Sequence, residues 1–205
     1  MADILHRIGV EQASHDDGSR KTTAPMAGHQ NRGRHTTMTA TMNARDISEV
    51  MNRPYSLELL ASRIPARLAY TGLDGDPRVV PVGYDWDGTH VRVASAVNSA
   101  KTAALRANPK VALSIDSDDF PPRVLLLRGT AQVEVVDGVP DVFLRASMKR
   151  VSDDQFSEWE AGVRALYDQM TVITITPTWA KLLDFETTIP KAEEDMMRAH
   201  SSTND

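Results

Sequence analysis

The chain has 205 residues, of which 41% are hydrophobic and 25% charged, and it contains no cysteine. This composition is typical of a soluble globular protein, and the lack of cysteine excludes disulfides, thiolate metal sites, Fe–S clusters and cysteine nucleophiles. The net charge of −5 disfavours nucleic-acid binding, and no run of about 18 to 20 apolar residues predicts a membrane span. We therefore expect a protein of a reducing compartment, the cytoplasm, with no nucleic acid and no membrane among its partners.

Residues 1–44 differ in composition from the rest of the chain. They are mostly polar and carry four of the six histidines, namely His6, His15, His29 and His35. Because burial of so little apolar surface cannot offset the entropy cost of ordering the backbone, we predict a poorly ordered tail. The histidines lack the i, i+4 spacing of a helical metal site, and no metal site is predicted anywhere in the chain. The folded domain is placed at residues 45–190, followed by a polar carboxyl-terminal tail at 191–205.

The folded part begins with helical signals and continues with strands. Ser48 is the predicted N-cap of a first helix, which Pro54 interrupts, and leucines after residue 56 predict a second short helix. The Asp87-Gly88 pair predicts a hairpin turn with positive φ at both residues. The predicted strands are residues 66–71, 78–86, 90–95, 111–115, 123–136 and 171–176, with an additional edge at 179–185. The predicted later helices are residues 99–108, 140–149 and 153–169.

These elements predict a six- to seven-stranded, mainly β, antiparallel barrel with flanking α-helices. Tight turns join most of the strands, whereas a doubly wound parallel sheet needs a helix after nearly every strand. A Gly at position 129 inside the longest strand predicts a bend or bulge. The chain also lacks G-x-G-x-x-G, so a Rossmann fold is excluded.

Side chains that would identify a reaction are missing. The chain has no G-x-S-x-G elbow and no P-loop, and its remaining histidines, His90 and His200, lie far apart. No catalytic residue is therefore predicted. This negative result favours chemistry performed by a bound cofactor, for which the protein supplies position and electrostatics.

The junction between the strand ending at Ser95 and the helix after it is the most informative stretch. Ser99 caps this helix and Lys101 lies in its first turn. A cation at a helix N-terminus opposes the helix dipole, whereas the free N–H groups there favour an anion. Either the lysine is simply solvated or a bound anion, such as a phosphate, resolves the conflict.

Several short motifs, in this order, resemble the pyridoxamine 5′-phosphate oxidase-like, flavin-binding split-barrel superfamily. They are Arg78-Val79-Val80-Pro81-Val82, the Asp87-Gly88 turn, Ser95, Ser99-Ala100-Lys101 and Leu105-Arg106-Ala107-Asn108-Pro109. The resemblance covers about residues 57–185. It implies a split barrel that forms a homodimer and holds FMN, or alternatively the deazaflavin coenzyme F-420, where the two subunits meet.

The resemblance also implies roles for individual residues. Arg78 and Lys101 would contact the cofactor phosphate, supported by Ser99, while Ser95 would lie near the phosphate or ribityl chain. Val80, Pro81 and Val82 would lie along the isoalloxazine ring.

The basic residues that the family has at the positions of Ala100 and Gly83 are absent, as is its arginine-containing carboxyl-terminal segment. Pyridoxamine phosphate is therefore not the expected substrate. We expect an oxidoreductase that transfers hydride between the flavin-type cofactor and a small conjugated substrate. The alternative is a non-catalytic protein that binds flavin, haem or a tetrapyrrole.

Overall fold

The computed structural model describes residues 42–201. The predicted amino-terminal tail and its four histidines therefore lie almost entirely outside the described residues, as do residues 202–205. None of the helices in the described range is long and apolar enough to cross a membrane.

Six helices and seven strands make up the described residues. The helices are α1 (Ala44–Met51), α2 (Pro54–Ala61), α3 (Ala100–Ala107), α4 (Asp141–Met148), α5 (Asp153–Leu166) and α6 (Lys191–Ser201). The strands are β1 (Ala66–Thr71), β2 (Pro77–Val82), β3 (Asp85–Trp86), β4 (Val91–Ala96), β5 (Lys110–Asp116), β6 (Val124–Asp137) and β7 (Gln169–Leu183). All seven strands form one sheet in the order β2-β1-β5-β6-β7-β4-β3, and every neighbouring pair is antiparallel.

The two edge strands of this sheet follow one another directly in the chain. β2 is one edge and β3 the other, yet only Gly83 and Tyr84 separate them in the chain. Three residue steps span at most about 11 Å, so the sheet must curl until the end of β2 comes close to the start of β3. The edges are not paired with each other, which leaves the barrel split. The predicted fold class, an antiparallel split barrel with flanking helices, is confirmed.

Strand direction decides which residues share an end of the barrel. Because all pairs are antiparallel, β2 and β3 run one way and β4 runs the other. The start of β2, the end of β4 and the first turn of α3 therefore lie at one end, which we call the α3 end. The end of β2 and the β3 strand lie toward the opposite end.

The core fills the barrel and is covered by helices. Val91 and Val93 of β4 face inward beside Ile173 and Ile175 of β7, and all four are at most 1% exposed. Leu105 of α3 is buried in the same cluster, so this helix closes the α3 end. A smaller apolar cluster under α4 and α5 is built around Val139, Val163 and Met170.

The first helix begins earlier than predicted. The N-cap is Asn43 and not Ser48, because the Asn43 side chain accepts a hydrogen bond from the backbone N–H of Asp46 at 2.9 Å. Ser48 lies inside α1. The strand predicted over 78–86 is also interrupted, since Gly83 and Tyr84 carry the chain from one sheet edge to the other.

The last strand runs without a break through a proline. β7 was predicted as two pieces, but it continues because Pro177 lies opposite Gly129, where the β6–β7 register shifts. Proline cannot donate to a ladder and is tolerated at such an irregularity. A Cβ at Gly129 would lie 2.6 Å from the carbonyl oxygen of Thr176, so the predicted bulge requires glycine.

Three further local predictions differ from the structure. In the Asp87-Gly88 turn only Gly88 has positive φ, because the Asp87 carboxylate accepts two backbone N–H groups and closes a longer loop before Val91. Helix α5 ends at Leu166, and Gln169 already belongs to β7. Within the predicted carboxyl-terminal tail, residues 191–201 form the polar helix α6.

Candidate functional site

The predicted cofactor residues fall into two groups. One lies on β2 and the other at the β4–α3 junction. The β2 group is Arg78, Val80, Pro81 and Val82, and the junction group is Ser95, Ser99 and Lys101. Strand direction brings Arg78 to the same end of the barrel as the junction. No hydrogen bond or ion pair in the described residues joins Arg78 to the junction group.

The junction contains a cluster of hydroxyl groups, defined here as Ser95, Ser99, Thr102 and Thr171. The Ser95 hydroxyl donates to Ser99 Oγ at 3.1 Å, and Ser99 Oγ lies 3.0 Å from Thr102 Oγ1. Ser95 and Thr102 are buried, at 9% and 2% exposure. The cluster therefore forms a polar layer at the end of an otherwise apolar barrel.

Ser99 occupies the N-cap position of α3 without capping it. Its backbone is extended there, as an N-cap requires, but its side chain makes no hydrogen bond to the first-turn N–H groups. The hydroxyl is instead engaged with Ser95 and Thr102. The N–H of Thr102 donates to the Ser99 carbonyl oxygen at 2.9 Å, whereas the N–H groups of Ala100 and Lys101 have no partner among the described residues and remain available to another acceptor.

Lys101 lies in the same first turn and is half-buried. Burial lowers the pKa of its ammonium group, and no ion pair among the described residues includes it. A cation in this place is also opposed by the helix dipole. An anion bound at the junction would offset both costs.

Thr171 belongs to this site but was missed from the sequence. It is fully buried, and its hydroxyl has no hydrogen-bond partner in the structure. It lies directly opposite Ser95 in the β4–β7 ladder, on the inward face shared with Ile173. The alternation of inward- and outward-facing residues along β7 could have placed the Thr171 hydroxyl inside the barrel. The local sequence does not show that β7 pairs with β4, so the proximity of Thr171 to Ser95 could not be inferred. An unpaired buried hydroxyl here fits a bound water or a ligand oxygen.

The β2 residues present a different surface. Arg78 is exposed and forms an ion pair with Asp74 across the β1–β2 turn. Val82 is buried and Val80 half-buried, whereas Pro81 points outward and is exposed. Because β2 is a sheet edge, alternate backbone N–H and C=O groups on it face away from β1. These groups, and the free nitrogens of Arg78, are what β2 offers to a ligand.

The donor set of the α3 end fits an anionic group such as a phosphate. It combines free helix N–H groups, a half-buried lysine without a carboxylate and an unpaired buried hydroxyl. Such a set binds and orients a ligand and contains no general base. Within the described residues no group of three or more His, Cys, Asp or Glu could hold a metal ion.

The sequence matches one family model, described as pyridoxamine 5′-phosphate oxidase, over residues 56–184. A search of curated proteins found no match.

Among solved structures, the conserved hypothetical protein Rv2991 from Mycobacterium tuberculosis is similar at 17% identity and a TM-score of 0.48, covering 71% of this chain and 86% of that chain. A structure titled F-420 reductase is 24% identical with a TM-score of 0.44, covering 60% and 94%. HutZ, a haem storage protein from Vibrio cholerae, is 19% identical with a TM-score of 0.45, covering 64% and 93%.

Proposed function

Because the chain belongs to the pyridoxamine 5′-phosphate oxidase family, we propose that it is an oxidoreductase that transfers hydride between a flavin-type cofactor and a small conjugated substrate. We propose FMN as the cofactor, with F-420 as the alternative. The observation that carries the proposal is the β4–α3 junction, where Lys101 has no carboxylate partner and the buried Thr171 hydroxyl has no partner at all.

In this proposal the junction binds the cofactor phosphate. The free N–H groups of Ala100 and Lys101 in the first turn of α3 donate to it, the Lys101 ammonium group neutralises it, and the hydroxyls of Ser95 and Ser99 hold the local geometry. Arg78 supplies a second positive charge from the same end of the barrel. The bound cofactor supplies the ring that accepts and donates hydride.

The edge strand β2 supports the proposal of a homodimer in which Val80, Pro81 and Val82 lie along the cofactor ring. Val79 on this strand is 64% exposed, and Leu73 in the adjoining turn is 70% exposed. An edge strand with exposed apolar side chains is a surface that proteins normally cover. We also propose that the protein acts in the cytoplasm, because it lacks cysteine.

The test is to titrate the full chain separately with FMN and with F-420 and to follow quenching of cofactor fluorescence. Micromolar or tighter binding of FMN supports the main proposal, and preferential binding of F-420 supports the alternative cofactor. The reduced complex is then mixed with conjugated acceptors. Reoxidation by an acceptor supports an enzyme, whereas binding without any turnover supports the non-catalytic alternative. The absence of binding by either cofactor refutes the proposed function.

A further inference from the structure

A second concave site lies toward the opposite end of the barrel from the hydroxyl cluster. It is an open cleft of about 310 Å³ between α2, β3 and the end of α4. Its lining is Leu57, Leu60, Ala61, Asp85, Trp86 and Lys149. This volume is at the lower limit of small-molecule sites, and most of the lining is apolar.

The two charged residues of the cleft differ in their partners. Asp85 is 8% exposed, and its carboxylate accepts from Arg145 at 3.0 Å, with Arg92 at 3.7 Å. The Arg92 guanidinium also lies 3.2 Å from the carboxylate of Asp87. Two arginines therefore neutralise the buried carboxylate, so Asp85 does not repel an anion as a free carboxylate would.

Lys149, the other charged residue of the cleft, is not part of these ion pairs. Its ammonium group donates to the carbonyl oxygen of Leu60 at 2.7 Å and lies 4.2 Å from the centre of the Tyr84 ring. None of the ion pairs in the described part of the chain includes Lys149. An ammonium group has three donors, and the Leu60 carbonyl is the only hydrogen-bond acceptor that Lys149 has among the described residues, so donor capacity is left for an acceptor in the cleft.

We propose that this cleft binds a small organic anion, whose apolar body packs on Leu57 and Trp86 and whose charged group accepts hydrogen bonds from Lys149. Leu57 is 43% exposed although it is a large apolar side chain, and Trp86 is half-buried beside it. The Asp85 carboxylate attracts Lys149 without forming an ion pair with it, and two arginines already hold that carboxylate. A ligand with both parts would cover the apolar surface and give Lys149 an anionic hydrogen-bond acceptor of its own.

The location of the cleft suggests what the anion does. β2 runs from the end with Arg78 to Val82, and Asp85 of the cleft comes three residues after Val82. A cofactor with its phosphate near Arg78 and its ring along Val80–Val82 would extend toward this end of the barrel. The role of the cleft as the site for the anionic group of the substrate rests on the proposed function. The binding of an anion does not.

The test uses the full chain without cofactor and follows tryptophan fluorescence and indole NMR resonances during titration with benzoate and with its neutral analogue benzamide. Trp86 is one of three tryptophans, and Trp86→Phe identifies its signal. We expect benzoate to perturb Trp86 saturably and to bind at least tenfold more tightly than benzamide. Lys149→Met should reduce benzoate binding to the level of benzamide, whereas Lys110→Met, at an exposed lysine, should leave it unchanged.

The comparison of the two probes requires no variant, so it remains decisive even if Lys149→Met does not fold. Equal affinities for benzoate and benzamide, or a benzoate response that does not involve Trp86, would overturn the proposal. Benzoate binding by a protein that binds neither FMN nor F-420 would support the cleft and refute the proposed function. The two proposals therefore fail separately.

Discussion

Substitution of Lys101 by methionine separates a ligand-binding role from a structural role. The lysine is half-buried in the first turn of α3, where the helix dipole opposes its charge, and burial lowers its pKa. If its ammonium group donates to a cofactor phosphate, its removal should cost about 1.5 to 3 kcal/mol of binding free energy. This corresponds to a dissociation constant raised about 10- to 150-fold.

The stability of the cofactor-free protein should change in the opposite direction. Methionine keeps the apolar stem of Lys101 but removes a cation from the positive end of a helix. We expect the free energy of unfolding to be unchanged or to rise by up to about 1 kcal/mol. Fluorescence titration measures the first effect and urea unfolding measures the second.

Arg106→Met is the matched control, because Arg106 lies in the last turn of the same helix and is exposed. There a cation favours the dipole, so its removal should cost a few tenths of a kcal/mol of stability and leave cofactor binding unchanged. An unchanged dissociation constant in Lys101→Met, or an equal loss in Arg106→Met, would refute the assignment of the phosphate to this junction.

Three other predictions concern stability. Gly129→Ala should destabilise the protein by about 1 to 3 kcal/mol in urea unfolding, because its Cβ would lie 2.6 Å from the Thr176 carbonyl oxygen. The control is Gly162→Ala in α5, where a Cβ meets nothing within 4 Å and should stabilise the helix. Equal effects of the two substitutions would contradict the bulge geometry. Asp184 is 3% exposed, and burial alone would raise its pKa, but together the hydrogen bonds that it accepts from the loop after it outweigh burial and lower the pKa to about 2. Its contribution of about 2 kcal/mol should be complete above pH 4 and lost as the pH falls toward 2, and Asp184→Asn should flatten stability-versus-pH curves in that window. Thr171→Val, which removes the unpaired hydroxyl, should leave the free energy of unfolding of the cofactor-free protein unchanged or raise it by about 1 kcal/mol, and a clear loss of stability would mean that the hydroxyl has a partner.

Local signals explain which elements could be predicted from the sequence. Helix α3 was predicted within one residue at each end, because Ser99 and the Asn108-Pro109 pair are start and stop signals that act locally. The start of the first helix was predicted too late in the chain, although the Asn43 cap is an equally local signal, because several residues in this stretch could act as the N-cap. The passage of β7 through Pro177 depended on the register opposite Gly129, which is a long-range property.

The candidate site shows the same division. The junction residues Ser95, Ser99 and Lys101 are close in the chain, so one short stretch indicated them together. Thr171 is 76 residues from Ser95 and meets it only because β7 pairs with β4. The cleft could not be predicted for the same reason, since Leu57, Trp86 and Lys149 come from three separate parts of the chain.

The two half-buried lysines have a lowered pKa for the same reason but lie in different surroundings. Burial lowers the pKa of both Lys101 and Lys149. Lys149 is the C-cap of α4, where the dipole favours a cation, and its ammonium group also contacts the Leu60 carbonyl and the Tyr84 ring. Lys101 has the unfavourable helix end and no such contacts. Removal of Lys149 should therefore cost stability as well as ligand binding, which is why its cleft is tested first on the unmodified protein, whereas removal of Lys101 isolates the effect on the ligand.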